Sequence, residues 1–313
     1  MLYYDKIKDR MFGCLYGQAI GDALGLGTEF MTKEDVSKYY PSGLHHYNEI
    51  IQDAHRSRWA KGAWTDDTDM MLCILNAYED EIIDPQKVAI NFKAWFNGTP
   101  MGIGSHTYKV LCMCDYVEQS ELCSKLWWEL SRKTSAANGA LMRTSVIVLL
   151  KDKYRETSEK VCKLTHYDPR CVGSCVIATS IINNLVWENK ELSYEQIIEI
   201  ANDYDDRIKE WVDVAYHSES IDDLDLDEKF SIGYTLRTLS AGLWCYFHAK
   251  DFVSGLLTVV NEGGDADTNG AISGAILGAK FGYSNIPENY IKNLNNESNY
   301  RILIDNFINN ILK

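Results

Sequence analysis

The sequence predicts an all-α protein organised as one domain over residues 1–313. Three observations carry this. Apolar residues recur at the 3.6-residue helical period along most of the chain, while strand-type alternation is scarce. Only 5 prolines occur in 313 residues, against a usual share of about 5%, so long stretches are free to run as helices. No Pro-, Ser- or Gly-rich linker divides the chain.

Taken in order, helical periodicity runs over Met11–Leu26, Thr68–Tyr78, Pro85–Phe96, Asn138–Leu150 and Pro169–Trp187. It continues over Tyr194–Tyr204, Gly233–Phe247, Phe252–Val260, Thr268–Phe281 and Asn299–Leu312. Pro85, Pro169 and Pro287 suit first-turn positions, where a helix needs no amide proton. Pro41–Trp64 carries Gly, His, Asn and Asp without an apolar period and reads as a loop. The acid-rich stretch His217–Glu228 reads as a solvated loop.

Composition narrows the function. Apolar residues make up 46% and charged residues 24%, which suits a globular protein and excludes wholesale disorder. The net charge of −14 repels phosphate backbones, so nucleic acid is not expected as a bulk partner. The nine cysteines include no CxxC pair, which gives no support to a zinc ribbon and fits reduced, mostly buried cytoplasmic thiols. The first ten residues mix charges and do not resemble a signal peptide. The longest strongly apolar run is Val146–Leu150, so no membrane partner is expected.

Two predicted helices share a glycine pattern. The first carries Gly13, Gly17, Gly21 and Gly25; the second carries Gly270, Gly274, Gly278 and Gly282. A spacing of four places each set along one helix face. Each glycine costs a helix interior about 1 kcal/mol relative to alanine. Close backbone approach is the compensating gain, so the two ridges are predicted to pack on each other or on a shared neighbour.

Acids flank both ridges. Glu29 follows the first, and Asp265 and Asp267 precede the second in EGGDADTNG (262–270). A third cluster is WTDDTD (64–69). One acidic helix start can be explained by a Thr65 cap and the helix dipole. Two such starts are harder to explain: like charges about 4 Å apart repel by about 4 kcal/mol at an effective dielectric near 20. Clustered carboxylates therefore imply cations, and Asp, Glu and Thr oxygens suit Mg²⁺, Mn²⁺ or Ca²⁺ rather than zinc. Gly263 and Gly264 permit the tight turn that would aim Asp265 and Asp267 inward. EF-hand spacing is missing.

These residues carry a resemblance. GDALG…E (21–29), WTDDTDMML (64–72), NGALMR (138–143), TH (165–166) and GGDADTNGAISGAILGAKFG (263–282) resemble the ADP-ribosylglycohydrolase family, in the family's order and over nearly the whole chain. The resemblance implies an orthogonal all-α bundle with a centre of two divalent cations, Mg²⁺ or Mn²⁺. It implies that Thr65, Asp66, Asp67, Asp265, Asp267 and Thr268 bind metal. Glu29 matches a glutamate at that centre, and Glu29 or Asp66 is the implied acceptor of a proton from water. Gly102, Gly104 and Thr107 match one wall of the ADP-ribose cleft, and Asn138, Gly139 and Met142 match another. Ser135 matches a position near the diphosphate, and His166 a histidine near the cleft.

Two departures stand out. Ala137 precedes Asn138 where the family often has glycine, which weakens the implied grip on diphosphate and distal ribose. Gly102 stands where arginine-directed members often carry an acid, which removes an obvious partner for a guanidinium. The implied activity is metal-dependent hydrolysis of the glycosidic bond between ADP-ribose and a protein side chain or small acceptor. Arginine, serine, O-acetyl and nucleotide linkages stay open. The alternatives are a catalytically silent ADP-ribose binder or structural relative and, more distantly, a dinuclear phosphohydrolase. A cytoplasmic monomer is expected.

Overall fold

Fifteen α-helices and one short hairpin make up residues 3–312 of the computed structural model. α1 (Tyr3–Gly25) is followed by α2 (Lys33–Tyr39), α3 (Asp66–Leu75), α4 (Pro85–Asn97) and α5 (Ser105–Leu111). Next come α6 (Ser120–Leu130), α7 (Tyr154–Lys163), α8 (Pro169–Asn183), α9 (Tyr194–Asn202) and α10 (Arg207–His217). The chain closes with α11 (Thr235–His248), α12 (Phe252–Val260), α13 (Ala266–Phe281), α14 (Glu288–Lys292) and α15 (Glu297–Ile311). The hairpin pairs β1 (Tyr78–Glu79) with β2 (Ile82–Ile83) antiparallel, Tyr78 facing Ile83.

Several starts are set by local chemistry. Asp84 and Asp168 accept from backbone amides at the openings of α4 and α8, and each is followed by a first-turn proline. Thr32 with Asp35, and Ser193 with Gln196, form capping boxes for α2 and α9. Pro287 sits at the N-cap of α14 rather than inside its first turn.

The glycine ridges meet each other. A Cβ on Gly13, Gly17, Gly21 or Gly25 would lie 2.2, 2.0, 1.9 or 2.1 Å from the carbonyl oxygen of Gly278, Gly274, Gly270 or Ala266. α1 and α13 therefore run antiparallel with their backbones in contact, and no residue other than glycine fits those positions of α1 unshifted. Gly282 falls outside the ridge: it ends α13 at φ +87, with the Asp9 carboxylate where its Cβ would be.

α8 is a fully buried helix, with Cys171, Cys175, Ile177 and Ile181 all shielded. With the π turn after it, it forms a stretch, Pro169–Glu188, long and apolar enough to cross a membrane, at a mean hydropathy of 1.3. The expectation from Val146–Leu150 overlooked this stretch. The protein itself covers 89% of it, so its apolar character is used in the core.

Three local expectations are corrected. Asn138–Leu150 is not one α-helix but a turn followed by two 3₁₀ segments, Leu141–Arg143 and Ser145–Leu149. The Asn138 amide bonds the Gly233 carbonyl, and Ala137 bridges Tyr234, which pulls the backbone out of helical register. α1 starts well before Met11. The acidic 217–228 stretch is only half solvated: Asp222, Asp223 and Asp225 are exposed, while Ile221, Leu224 and Leu226 are buried.

Six of the nine cysteines are buried and none is paired.

Candidate functional site

The antiparallel packing of α1 on α13 decides where the acids go. The end of α1, with the turn carrying Glu29, lies beside the start of α13, with Asp265 and Asp267. The N-terminus of α3 joins them through Asp22, a residue the sequence reading passed over. One Asp22 carboxylate oxygen accepts from the Thr65 amide and hydroxyl, both at 2.9 Å. The other accepts from the Thr68 amide at 3.0 Å and hydroxyl at 2.7 Å. Asp22, reaching across from α1, thus takes over the open amides of α3. Thr65 stands at the N-cap position, but its hydroxyl does not cap its own helix.

The glycine turn before α13 behaves as its residues require. Gly263 and Gly264 have φ of +77 and +66, and a Cβ on either would strike the carbonyl of Met31 or Leu226. Phe30 donates its amide to the Gly264 carbonyl, which ties the Glu29 turn to this one.

The result is a dense carboxylate cluster. One carboxylate oxygen from each of Asp22, Asp67 and Asp267 lies within 4.8 Å of the others, and the same holds for Glu29, Asp265 and Asp267. The Asn138 side-chain amide donates to Asp265 at 2.6 Å. Thr65 Oγ1 lies 3.2 Å from Asp67 Oδ2. Burial, with neighbouring acids adding to it, drives the carboxyl pKa values upward: Asp66 to about 7, and Asp67 and Asp267 well above the ordinary range. Burial likewise raises Asp22 to about 7 and Asp265 to about 6. Asp67 Oδ1 is buried with no hydrogen-bond partner. An orphaned carboxylate oxygen among oxygen-only donors fits hard divalent cations.

The cluster floors a cleft of about 480 Å³. Thr65, Asp66, Asp67, Asp265, Asp267, Thr268 and Glu29 all line it. So do Gly102, Gly104, Thr107, Asn138, Gly139, Met142 and His166; Thr107 and Gly139, expected on different walls, are neighbours. Ser135 is not among the lining residues; it lies behind His106 and bonds its Nδ1 at 2.7 Å. Gly102 presses on the floor: a Cβ there would sit 2.9 Å from Asp66 Oδ1. A Cβ on Gly139 would sit 2.9 Å from Thr107 Oγ1 and 3.2 Å from His166 Nε2.

The mouth was not foreseen. Phe30, Arg58 and Met101 are its exposed lining residues, with the half-buried His55 and the buried Trp59 beside them. His55 Nε2 lies 2.6 Å from Glu29 Oε2, and Arg58 Nη2 donates to His55 Nδ1 at 2.7 Å. Arg58 also stacks over Trp59 at 4.4 Å. His55, Arg58 and Trp59 come from the predicted Pro41–Trp64 loop, which offers no periodic signal to single them out; Phe30 follows Glu29 and Met101 precedes Gly102.

Comparison with known proteins agrees with this arrangement. The family profile described as ADP-ribosylglycohydrolase matches residues 4–312. An uncharacterized protein of Archaeoglobus fulgidus is 30% identical over 302 residues, covering 92% of each chain. ADP-ribosyl-[dinitrogen reductase] glycohydrolase of Rhodospirillum rubrum is 25% identical, over 92% of this chain and 91% of its own. ADP-ribosylarginine hydrolase Tri1 of Serratia proteamaculans is 26% identical, over 91% of this chain and 75% of its own. A solved ADP-ribosylglycohydrolase-related protein complex shares the fold, with a TM-score of 0.75 at 22% identity over 99% of this chain and 100% of that one. A carboxylate-floored cleft where the end of one glycine-ridged helix meets the start of the other, and a profile match over residues 4–312, lead to one conclusion: the chain belongs to the ADP-ribosylglycohydrolase family.

Proposed function

We propose that this protein hydrolyses the glycosidic bond between ADP-ribose and a modified protein side chain or small acceptor, with two divalent cations, Mg²⁺ or Mn²⁺. The observation that carries the reading is the cluster of carboxylates, one oxygen of it orphaned, at the floor of a cleft large enough for a nucleotide sugar. Thr65, Asp66, Asp67, Asp265, Asp267 and Thr268 would hold the cations. When bound, such cations neutralise the floor, bind hydroxyl oxygens and lower the pKa of water.

The chain's own residues supply the rest. Glu29 lies at the edge of the cluster with one carboxylate oxygen held by His55. It, or Asp66 beside it, is placed to accept the proton of the attacking water. The bond broken is the one at the anomeric carbon of ribose, through an oxocarbenium-like state. The acidic protein thus meets an anionic substrate through local cations, not through its net charge.

The test is release of ADP-ribose from a panel of arginine, serine and O-acetyl adducts, with and without Mg²⁺ or Mn²⁺. Release that needs the cation supports the reading. Tight binding of ADP-ribose with no turnover on any linkage would favour a silent binder instead.

A further inference from the structure

Arg143 is fully buried, yet among the described residues none of its hydrogen-bond or ring contacts is to a carboxylate. Its guanidinium sits 4.2 Å over the Phe92 ring, reaches the Met70 sulfur at 3.4 Å and donates from Nη2 to Thr165 Oγ1 at 2.6 Å. A buried cation without an anion is expensive unless something nearby supplies negative charge. The chain of contacts leads to the cleft. Thr165 Oγ1 lies 2.8 Å from His166 Nδ1. His166 is wholly buried, lines the cleft, and its Nε2 has no hydrogen-bond partner among the described residues.

The donor roles along this chain follow from which groups have an acceptor. Arginine only donates, so Thr165 Oγ1 accepts from it. Among the described residues the one acceptor in contact with the Thr165 hydroxyl proton is His166 Nδ1. The arrangement that pairs that proton leaves Nδ1 bare and puts the ring proton on Nε2. The second histidine repeats the logic. His106 Nε2 donates to the Thr165 carbonyl at 2.9 Å, which leaves its Nδ1 to accept from Ser135. The two imidazoles stack 4.1 Å apart at 15°. Thr165 holds both rings, one through its carbonyl and one through its hydroxyl.

We propose that Arg143 and Thr165 are positioning residues that hold His166 as a neutral imidazole with its proton on Nε2, presented to an anionic oxygen of the substrate. That oxygen lodges beside Gly139 and Thr107, the neighbours His166 Nε2 has in the cleft. Desolvation, with the nearby positive charge of Arg143 adding to it, pushes the His166 pKa well below 6.5, which agrees with a ring that stays neutral. The identity of the oxygen rests on the proposed ADP-ribosyl substrate; the tautomer does not.

Nitrogen-15 labelling of histidine reads the tautomer directly in the full chain, with His166→Gln assigning the signal. The expected result is a bare Nδ1 and a protonated Nε2 before any ligand is added. Thr165→Val removes the hydroxyl at nearly constant volume. It should abolish the fixed tautomer and weaken calorimetric binding of ADP-ribose about tenfold. It should raise KM more than it lowers kcat, because the contact is made to bound substrate as well as to the transition state. Thr165→Ser should restore tautomer and affinity together. A proton on His166 Nδ1 in the wild-type protein would overturn the proposal. So would a folded Thr165→Val variant that binds ADP-ribose as tightly as wild type. A wild-type protein with the expected tautomer that binds no ADP-ribose would keep the clamp and sink the ADP-ribosyl reading instead.

Discussion

Asp22 accepts four hydrogen bonds from Thr65 and Thr68, so it holds the acidic start of α3 in place beside Asp67 and Asp267. Asp22→Ala leaves buried donors unpaired and should cost about 1–3 kcal/mol for each amide not rehydrated. Thermal unfolding and a metal titration should show loss of both stability and metal affinity. The carboxyl shifts predict a pH dependence of the metal-free protein. Asp22 and Asp66 titrate near 7 when folded and near 3.8 in their ordinary state, and Asp265 near 6. The folded chain therefore holds extra protons between these values, and these three groups make its stability fall as pH rises from about 4 to about 7. Cations bind the ionised carboxylates, so the gain in melting temperature from Mg²⁺ or Mn²⁺ should widen over that range. A gain independent of pH would contradict the shifts. Asp267→Asn and Glu29→Gln separate two roles. The first should weaken metal affinity and turnover together while leaving metal-free stability unchanged or higher. The second should reduce turnover more than metal affinity, as measured by hydrolysis rate against cation concentration.

At the scale of elements, α1 and α13 were legible because glycine at every fourth position of a helix has few explanations other than backbone contact. The structure places the two ridges against each other, with Gly17 and Gly274 facing across the contact. Gly17→Leu should destabilise by more than the 1–3 kcal/mol of ordinary overpacking, because its Cβ alone would meet a carbonyl oxygen at 2.0 Å. A melting temperature equal to wild type would refute the contact. The 138–150 segment misled because a short, wholly buried apolar run has no solvent face to reveal its period. Its backbone is instead set by the long-range bond from Asn138 to Gly233. α7 was missed because its sequence, YRETSEKVCK, is mostly polar. α6 was missed although Leu122, Leu126 and Leu130 share one exposed face. Asp22 was missed for a related reason: it lies inside a helical stretch, and all its partners are more than forty residues away.

At the scale of the whole molecule, the two ridges bring residues from both ends of the chain to one cleft. Glu29 and Asp265 meet only because α1 lies antiparallel to α13, and the start of α3 is then pinned between them. The acidic floor was readable from WTDDTD and GGDADT because each acid sits in a motif with a helix start. The aromatic and cationic mouth of Phe30, His55, Arg58 and Trp59 was not, because loop residues carry no period that marks which way they face. The central claim is that this floor holds divalent cations for hydrolysis of an ADP-ribosyl bond. It is tested most directly by following ADP-ribose release from defined adducts as the chelated protein is titrated with Mg²⁺ or Mn²⁺. The expected result is no turnover in chelator, recovery on titration, and loss of that recovery in Asp267→Asn. Turnover of the wild-type protein indifferent to chelator would contradict it.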